Sequence, residues 1–294
     1  METPRMWWPM MLLLLLVTGC QSVPTSQVQD FVSATNALAQ AESNYFDQLQ
    51  AASDQSHVLI ASAIYVAHGQ DFPTIATELT KRDDFSKAKA LRMAAMAQLQ
   101  NYAQQLSAIT TAATGTWIAD DANSTSTEVT KLLTDQKAAK VTQQQAGLIQ
   151  TGVNKLAAVI ISSITARNIQ SLAKEAQKPI SDIATMVSQD NTNIEADNFE
   201  SGLVEDQQQA MLNVLHILYD DRSVSAVQRF SAIRTWQDWK PSLVTEGKDI
   251  SDAMAKLVKA NDALAAKQPI SANAFLQQTI ASAEHAIGLS TGTK

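Results

Sequence analysis

The stretch from Val28 to His68 contains neither proline nor glycine, and this uninterrupted run most restricts the folds open to the chain. One heptad position is apolar throughout and a second is mixed, a spacing that predicts a helix packed in a bundle along one seam. The apolar position holds Phe31, Leu38, Tyr45, Ala52, Leu59 and Val66, and the mixed one Val28, Thr35, Glu42, Leu49, Ser56 and Ala63. At 1.5 Å per residue, such a helix extends about 60 Å, which is typical of an elongated bundle.

Similar spacing recurs further along the chain. We predict a short helix at Thr74–Lys81 and a second long helix that begins at Asp83 or Asp84. The apolar stripe of that long helix is Phe85, Ala88, Leu91, Ala95, Leu99, Tyr102, Leu106 and Ile109. The polar segment 117–127 is predicted to be irregular, and a further helix to run from Glu128 to Gln177, with room for one break.

Prolines divide the rest of the chain. Because proline lacks the backbone donor and clashes with the preceding turn, Lys178-Pro179, Lys240-Pro241 and Pro269 are predicted to stop or kink helices. The predicted helices are then one from Ile180, one over 224–239, one over 245–266, and a last one from Ser271 to Ile287 that Gly288 ends. The sequence also allows a subdomain boundary near residue 222, and residues 290–294 are predicted to be a loose tail.

The segment patterns agree on a fold class. No segment shows the sustained alternation of apolar and polar residues that marks a half-buried strand. The sequence therefore predicts an all-α protein, an elongated antiparallel bundle of about five to seven helices that forms one domain over residues 26–289.

The charge and composition of the chain indicate which classes of partner to expect and whether the chain folds. The formal net charge is -7 and the pI is about 5.1, so broad electrostatic attraction to nucleic acid is not expected. Charged residues make up only 17% and hydrophobic residues 45% of the chain, a balance that favours a folded body over disorder.

The N-terminus has the features of an export signal. Arg5 precedes an apolar run from Met10 to Val17, too short for a transmembrane helix but of the size of a secretory signal core. The run Val17-Thr18-Gly19-Cys20 resembles the lipobox of bacterial lipoproteins. The resemblance implies a diacylglyceryl group on the Cys20 thiol, cleavage between Gly19 and Cys20, and acylation of the new amine. Residues 1–19 would then be a removed signal peptide and 20–25 a lipidated tether.

Cys20 is also the only cysteine in the chain, so the body cannot form internal disulfides and depends on core burial. Gln21 follows it, and in enterobacteria-like lipoproteins a residue other than Asp at this position favours the outer membrane over the inner. The expected partners are thus the membrane, through the lipid, and another envelope protein.

No catalytic, cofactor-binding or metal-binding motif is found. The histidines His57, His68, His216 and His285 lack the close helical spacing of a metal-ligand pair. Three acid pairs, Asp83-Asp84, Asp120-Asp121 and Asp220-Asp221, fall where we expect helix starts or turns, and there Asp is explained by capping.

Two segments allow sharper hypotheses. Leu148–Thr165 is the most apolar stretch of the body, and the sequence favours a central bundle helix there over a partner-binding or membrane-inserting element. Trp236 and Trp239 are expected in the core rather than on a partner surface.

The leading hypothesis for the whole protein is therefore a non-enzymatic envelope lipoprotein whose body is a scaffold, spacer or interaction module. The alternatives are a pore-forming-toxin-like protein that inserts 148–165, and an enzyme or ligand carrier with a cleft between helices.

Overall fold

A computed structural model describes residues 25–68, 73–74, 76–77, 85–111, 113, 116–136, 141–166, 168–192 and 226–292. Within these residues there are seven helices and no strand, which confirms the predicted all-α class. The helices are α1 Thr25–His68, α2 Ser86–Thr111, α3 Thr116–Leu132, α4 Gln143–Ala166, α5 Ile169–Thr192, α6 Ala226–Ala265 and α7 Pro269–Gly292.

Helix α1 forms as its heptads predict, over 44 residues. Both heptad positions are buried from Val28 to Leu49, including the polar Thr35 and Glu42 of the mixed position. Thr35 satisfies its hydroxyl locally by donating to the carbonyl oxygens of Phe31 and Val32, at 3.2 and 3.0 Å. The helix therefore buries one continuous face against the bundle.

Consecutive helices pack side by side in an antiparallel arrangement. Between α1 and α2, Lys89 contacts Asp47 at 2.6 Å and Gln100 contacts Asn36 at 2.8 Å, so residue numbers rise on one helix as they fall on the other. Helices α1, α2, α5 and α6 form an inner four-helix group. Around this group, α7 packs on α1 and α6, α4 packs on α2 and α5, and α3 covers α2 and α4.

A buried polar connection joins the inner helices. The Tyr102 hydroxyl of α2 donates to Asn261 Oδ1 of α6 at 2.5 Å, and Asn261 Nδ2 donates to the Ala173 carbonyl of α5 at 2.9 Å. Phe31 of α1 packs edge-on against the Tyr102 ring, with centroids 5.6 Å apart. Burial raises the pKa of Tyr102 far above its usual value, so its hydroxyl keeps the proton that it donates.

Segment 117–127 is helical, so its predicted irregular structure is wrong. It belongs to α3, which buries only three residues, Ile118, Ala122 and Val129. These positions lie four and seven residues apart and so share one face of a helix. A single narrow apolar stripe suffices because α3 is an outer helix with its other faces in solvent.

The predicted helix from Glu128 to Gln177 is wrong as well, because this region contains parts of three helices. A capping box starts α4: Gln145 N donates to Thr142 Oγ1 at 3.2 Å and Thr142 N donates to Gln145 Oε1 at 2.9 Å. The side chain of Asn168 starts α5 by accepting from the backbone N–H groups of Gln170 and Ser171, at 3.0 and 3.3 Å. Polar side chains, rather than proline or glycine, thus set both boundaries.

Neither Pro179 nor Pro241 stops a helix, since Pro179 lies inside α5 and Pro241 inside α6, so the predicted helix ends at these two prolines are wrong. At Pro179, the buried residues Ala176, Ile180 and Ile183 continue one packed face across the proline. Burial of that face offsets the roughly 3 kcal/mol that a proline costs in a helix interior.

The α5 segment around Pro179 also packs closely against α4. A Cβ placed on Gly152 of α4 would lie 3.0 Å from the Pro179 carbonyl oxygen and 3.0 Å from Ile183 Cγ1. Glycine is therefore what lets the two helix backbones come this near.

The third proline does mark a boundary, because α6 ends before it. Lys267 adopts a left-handed φ of 58°, Gln268 N donates to the Ala263 carbonyl at 2.8 Å, and Lys267 N donates to the Leu264 carbonyl at 3.2 Å. This is a Schellman turn. Pro269 then begins α7 at a position where its missing N–H costs nothing.

Several C-terminal boundaries differ from prediction. The last helix begins at Pro269 rather than Ser271, and it continues through Gly288 and into the predicted tail as far as Gly292. The proposed boundary at residue 222 lies outside the described residues, and of the short helix Thr74–Lys81 only residues 74, 76 and 77 are described, all helical.

Candidate functional site

Three acidic side chains are buried among the described residues, and two of them, Glu42 of α1 and Glu246 of α6, have no exposed surface. Each occupies a core position of its helix: Glu42 belongs to the mixed heptad position of α1. Glu246 lies in the buried stripe of α6 that consists of Leu243, Glu246, Ile250, Ala253, Leu257, Ala260 and Leu264. Helical spacing, rather than a loop or cleft, thus brings acidic groups into the interior.

Further polar groups surround Glu246. Gln48 of α1 lies beside it, and Asp249 lies one turn further along α6. Asp249 in turn contacts α7, where His285 Nδ1 lies 2.6 Å from Asp249 Oδ2. We call Glu42, Gln48, Glu246, Asp249 and His285 the acidic cluster, and it spans α1, α6 and α7.

The electrostatics of the cluster favour a neutral Glu246. Burial, which penalises the charged form, is the largest cause, and the negative charges of Glu42 and Asp249 add to it, while the nearby side chain of Gln48 acts in the opposite direction. Together they raise the pKa of Glu246 from 4.5 to about 8. At neutral pH this side chain is therefore largely a carboxylic acid, able to donate as well as accept a hydrogen bond.

On the α2 side, the core also holds a buried cation. Arg92 is only 2% exposed. Its guanidinium lies over the Phe46 ring at 5.6 Å from the centroid, and Nη1 donates to the Ala88 carbonyl at 3.4 Å. Charged or titratable groups are therefore buried both where α1 packs on α2 and where α1 packs on α6.

Most of the residues that the sequence singled out cannot be placed relative to one another. Cys20, Gly19 and His216 lie outside the described residues, as do the side chains of His68, Trp236 and Trp239. Asp120 and Asp121 are exposed inside α3 rather than at a turn. Among the described side chains, no group of three His, Cys, Asp or Glu residues could hold a metal ion.

The apolar segment 148–165 lies in α4, which packs on α2, α3 and α5 and contributes one face, rather than its whole circumference, to the core. One face is buried at three- and four-residue intervals, at Ile149, Gly152, Val153, Leu156, Ala157 and Ile160. The opposite face exposes small or polar residues such as Gln150, Thr151 and Ala158. By length and composition Gln143–Ile164 could cross a membrane, the one such helix in the described part of the chain, and 39% of that stretch is buried in the bundle.

Sequence reasoning missed the acidic cluster, although a signal for it was present. Glu42 belongs to the mixed heptad position of α1, and a carboxylate at a core position of a helix predicts a buried acid. Glu246 carries the same mark on α6, where it lies between Leu243 and Ile250 at helical spacing.

These features define the molecule as a seven-helix antiparallel bundle, counted over the described residues, with an ionisable interior. No family model, no curated protein and no solved structure matches the chain.

Proposed function

We propose that the chain is a non-enzymatic envelope lipoprotein, anchored through an acylated Cys20, with the helical bundle as scaffold, spacer or protein-interaction module. The observation that supports this most is the position of the lipobox-like run Val17-Thr18-Gly19-Cys20, which lies directly before the helical body. Thr25, the first residue of α1, is the fifth residue after Cys20.

The start of α1 is suited to carry an anchor. Gln27 is buried, and its Nε2 donates to the Pro269 carbonyl of α7 at 2.9 Å. Val28 and Phe31, within the next turn, have no exposed surface. A force applied through Cys20 would therefore act on a helix that is packed from its first turn.

The lipid would hold the body at a membrane without a spanning helix. Each buried methylene contributes about 0.8 kcal/mol, so a single acyl chain binds marginally and two or more bind stably. Gln21 at the following position favours the outer membrane, in keeping with the lipoprotein resemblance.

Mass spectrometry of the native protein tests the anchor. We expect an N-terminus at Cys20 that carries diacylglyceryl and acyl groups, and Cys20→Ala should take up no labelled fatty acid. As a matched control, Gln21→Asp should be lipidated normally and shift toward the inner membrane in an enterobacteria-like host. An unmodified Cys20 in native material would refute the proposal. In-cell crosslinking of the lipidated protein would then identify the envelope partner.

One observation favours a second candidate, a membrane-active protein that inserts α4. That helix is long and apolar enough to cross a bilayer, and it packs on the outside of the bundle. The chain 21–294 distinguishes the two functions: it should leave liposomes intact as a scaffold, whereas dose-dependent leakage would support insertion. Lys155 is exposed on α4 and would be costly at membrane depth, so Lys155→Leu should increase leakage only under the second function.

A further inference from the structure

Among the described residues, four large hydrophobic side chains are exposed. They are Val58 at 52%, Trp117 at 54%, Ile161 at 43% and Ile270 at 86% exposure. Single exposed hydrophobic residues are common on soluble proteins and need no explanation. Three of the four, Trp117, Ile161 and Ile270, lie toward the end of the bundle at which α1 begins.

Contacts between helix ends identify that end. The first turns of α1 and α7 meet where Gln27 donates to the Pro269 carbonyl, and the start of α5 meets the end of α6 where Gln170 donates to the Ala265 carbonyl at 3.1 Å. Phe31 and Tyr102 bring the C-terminal part of α2 to the same level. We call this the basal end.

Three of the four exposed hydrophobic residues lie near the basal end. Trp117 is the second residue of α3, which follows the end of α2 after a short connection, and Ile270 is the second residue of α7. Ile161 lies in the last turns of α4, whose C-terminus directly precedes the start of α5. Val58 is the exception, because it lies 33 residues into α1, about 50 Å from Thr25 along the helix axis.

We propose that the basal end docks on the lipid bilayer, with Trp117 and Ile270 in the headgroup region and the helices standing away from the membrane. This inference rests on the proposed anchor. Five residues reach from Cys20 to Thr25, at most about 18 Å of extended chain, so an acylated Cys20 keeps the basal end near the lipid. Tryptophan favours the membrane–water interface, where its ring is buried and its N–H stays hydrated.

The charges at this end indicate that apolar insertion, rather than attraction to anionic lipid, holds it there. Asp120 and Asp121 are exposed about one turn beyond Trp117, while Lys267 is exposed next to Ile270. Charges of both signs give little net attraction to an anionic surface. Docking should therefore occur on zwitterionic phosphatidylcholine and depend little on salt.

The experiment uses the chain from Cys20, coupled through its thiol to a maleimide phospholipid in phosphatidylcholine vesicles. Trp236→Phe and Trp239→Phe leave Trp117 as the reporter, and lipids brominated at different depths quench its emission. Quenching by shallow bromines should lower Trp117 emission at least about twofold. Because chemical coupling replaces cellular acylation, this result is independent of whether Cys20 is lipidated in cells.

The matched control moves the reporter to the exposed residue far from the basal end. In the same background, Trp117→Phe with Val58→Trp should show no quenching, whereas Trp117→Phe with Ile270→Trp should be quenched like Trp117. Equal quenching at positions 58 and 117 would mean that the body lies along the membrane, and an unquenched Trp117 would mean that the end stays in water. Either result overturns the proposal.

A second measurement covers the case in which the tryptophan substitutions unfold the bundle, as circular dichroism would reveal. Hydrogen exchange of the otherwise unaltered coupled chain should slow on vesicles at the first turns of α3 and α7, relative to the uncoupled chain. Unchanged exchange at both turns would contradict docking. A native Cys20 found unmodified by mass spectrometry would instead refute the anchor itself.

Discussion

Replacing Glu246 by Gln should stabilise the protein at neutral pH, and the size of the effect follows from its burial. The folded state raises the pKa of this carboxyl from 4.5 to about 8. Between these two values the unfolded chain has lost a proton that the folded chain retains, so the free energy of unfolding falls as the pH rises, by about 1.4 kcal/mol per pH unit. Below pH 4.5 the carboxyl of Glu246 is protonated in both the folded and the unfolded state, so its raised pKa no longer lowers the stability.

At pH 7, two and a half units above the pKa of Glu246 in the unfolded chain, this effect lowers the free energy of unfolding by about 3 kcal/mol. Glutamine has the shape of the protonated acid and does not ionise, so Glu246→Gln should remove this penalty. We expect the variant and the wild type to be equally stable at pH 4, and the variant to be more stable by an amount that grows up to about pH 8 and then levels off.

Urea unfolding followed by circular dichroism, at intervals from pH 4 to pH 9, measures the difference directly. The matched control is Glu128→Gln, an exposed carboxylate on α3, which should change stability by less than about 0.5 kcal/mol at every pH. A difference between the Glu246 variant and wild type that stays constant with pH would refute the reasoning. So would an advantage of the variant over the wild type that shrinks from pH 5 to pH 8.

Three further substitutions test the packing. Gly152→Ala should lower the Tm because its Cβ would meet a backbone carbonyl at 3.0 Å. Gly147→Ala on the same helix, with nothing within 4 Å, should instead raise the free energy of unfolding by about 0.5–1 kcal/mol. Equal effects of the two substitutions would contradict the close approach. Tyr102→Phe should cost about 1–3 kcal/mol in urea unfolding by leaving the Asn261 oxygen buried without its donor, and a neutral result would show the bond to be dispensable. Asn168→Ala should cost about 1 kcal/mol, and unchanged stability would argue against its role as the α5 cap.

The fold class was predictable because helical periodicity is local. The stripes of α1 and α2 repeat every three or four residues, and the structure buries Phe31, Leu38, Leu91 and Leu99 as that spacing predicts. A buried helical face needs no knowledge of its neighbour to be recognised.

The boundaries were less predictable because they depend on competition with packing. Pro179 and Pro241 are local helix breakers, yet both lie inside helices, and at Pro179 the buried face that continues across it comes from tertiary contact. Asn168, in contrast, is one of many polar residues in the chain, and only the structure shows that its side chain caps a helix. The prediction for the polar segment 117–127 is wrong because an outer helix needs only a few apolar residues, so its sequence looks like that of a loop.

The acidic cluster was hidden because its members come from three helices far apart in sequence. The sequence shows Glu42 and Glu246 each in core register, but their proximity follows from the pairing of α1 with α6. Likewise, the contact of His285 with Asp249 depends on the register of α7 against α6. The position of the proposed lipid anchor relative to the basal end likewise depends on a tertiary contact, that of Gln27 with Pro269.

The last helix closes the structure against the first. Helix α7 buries Ala272, Leu276, Thr279, Ala283 and Ala286 along a face that packs on α1 and α6. During synthesis, the matching surfaces of those two helices stay bare until residue 269 and those after it have left the ribosome. A chain that ends early, for instance at a premature stop codon in this region, would expose them permanently and be a ready substrate for proteases. A copy without α7 should therefore be more readily proteolysed than one that contains it.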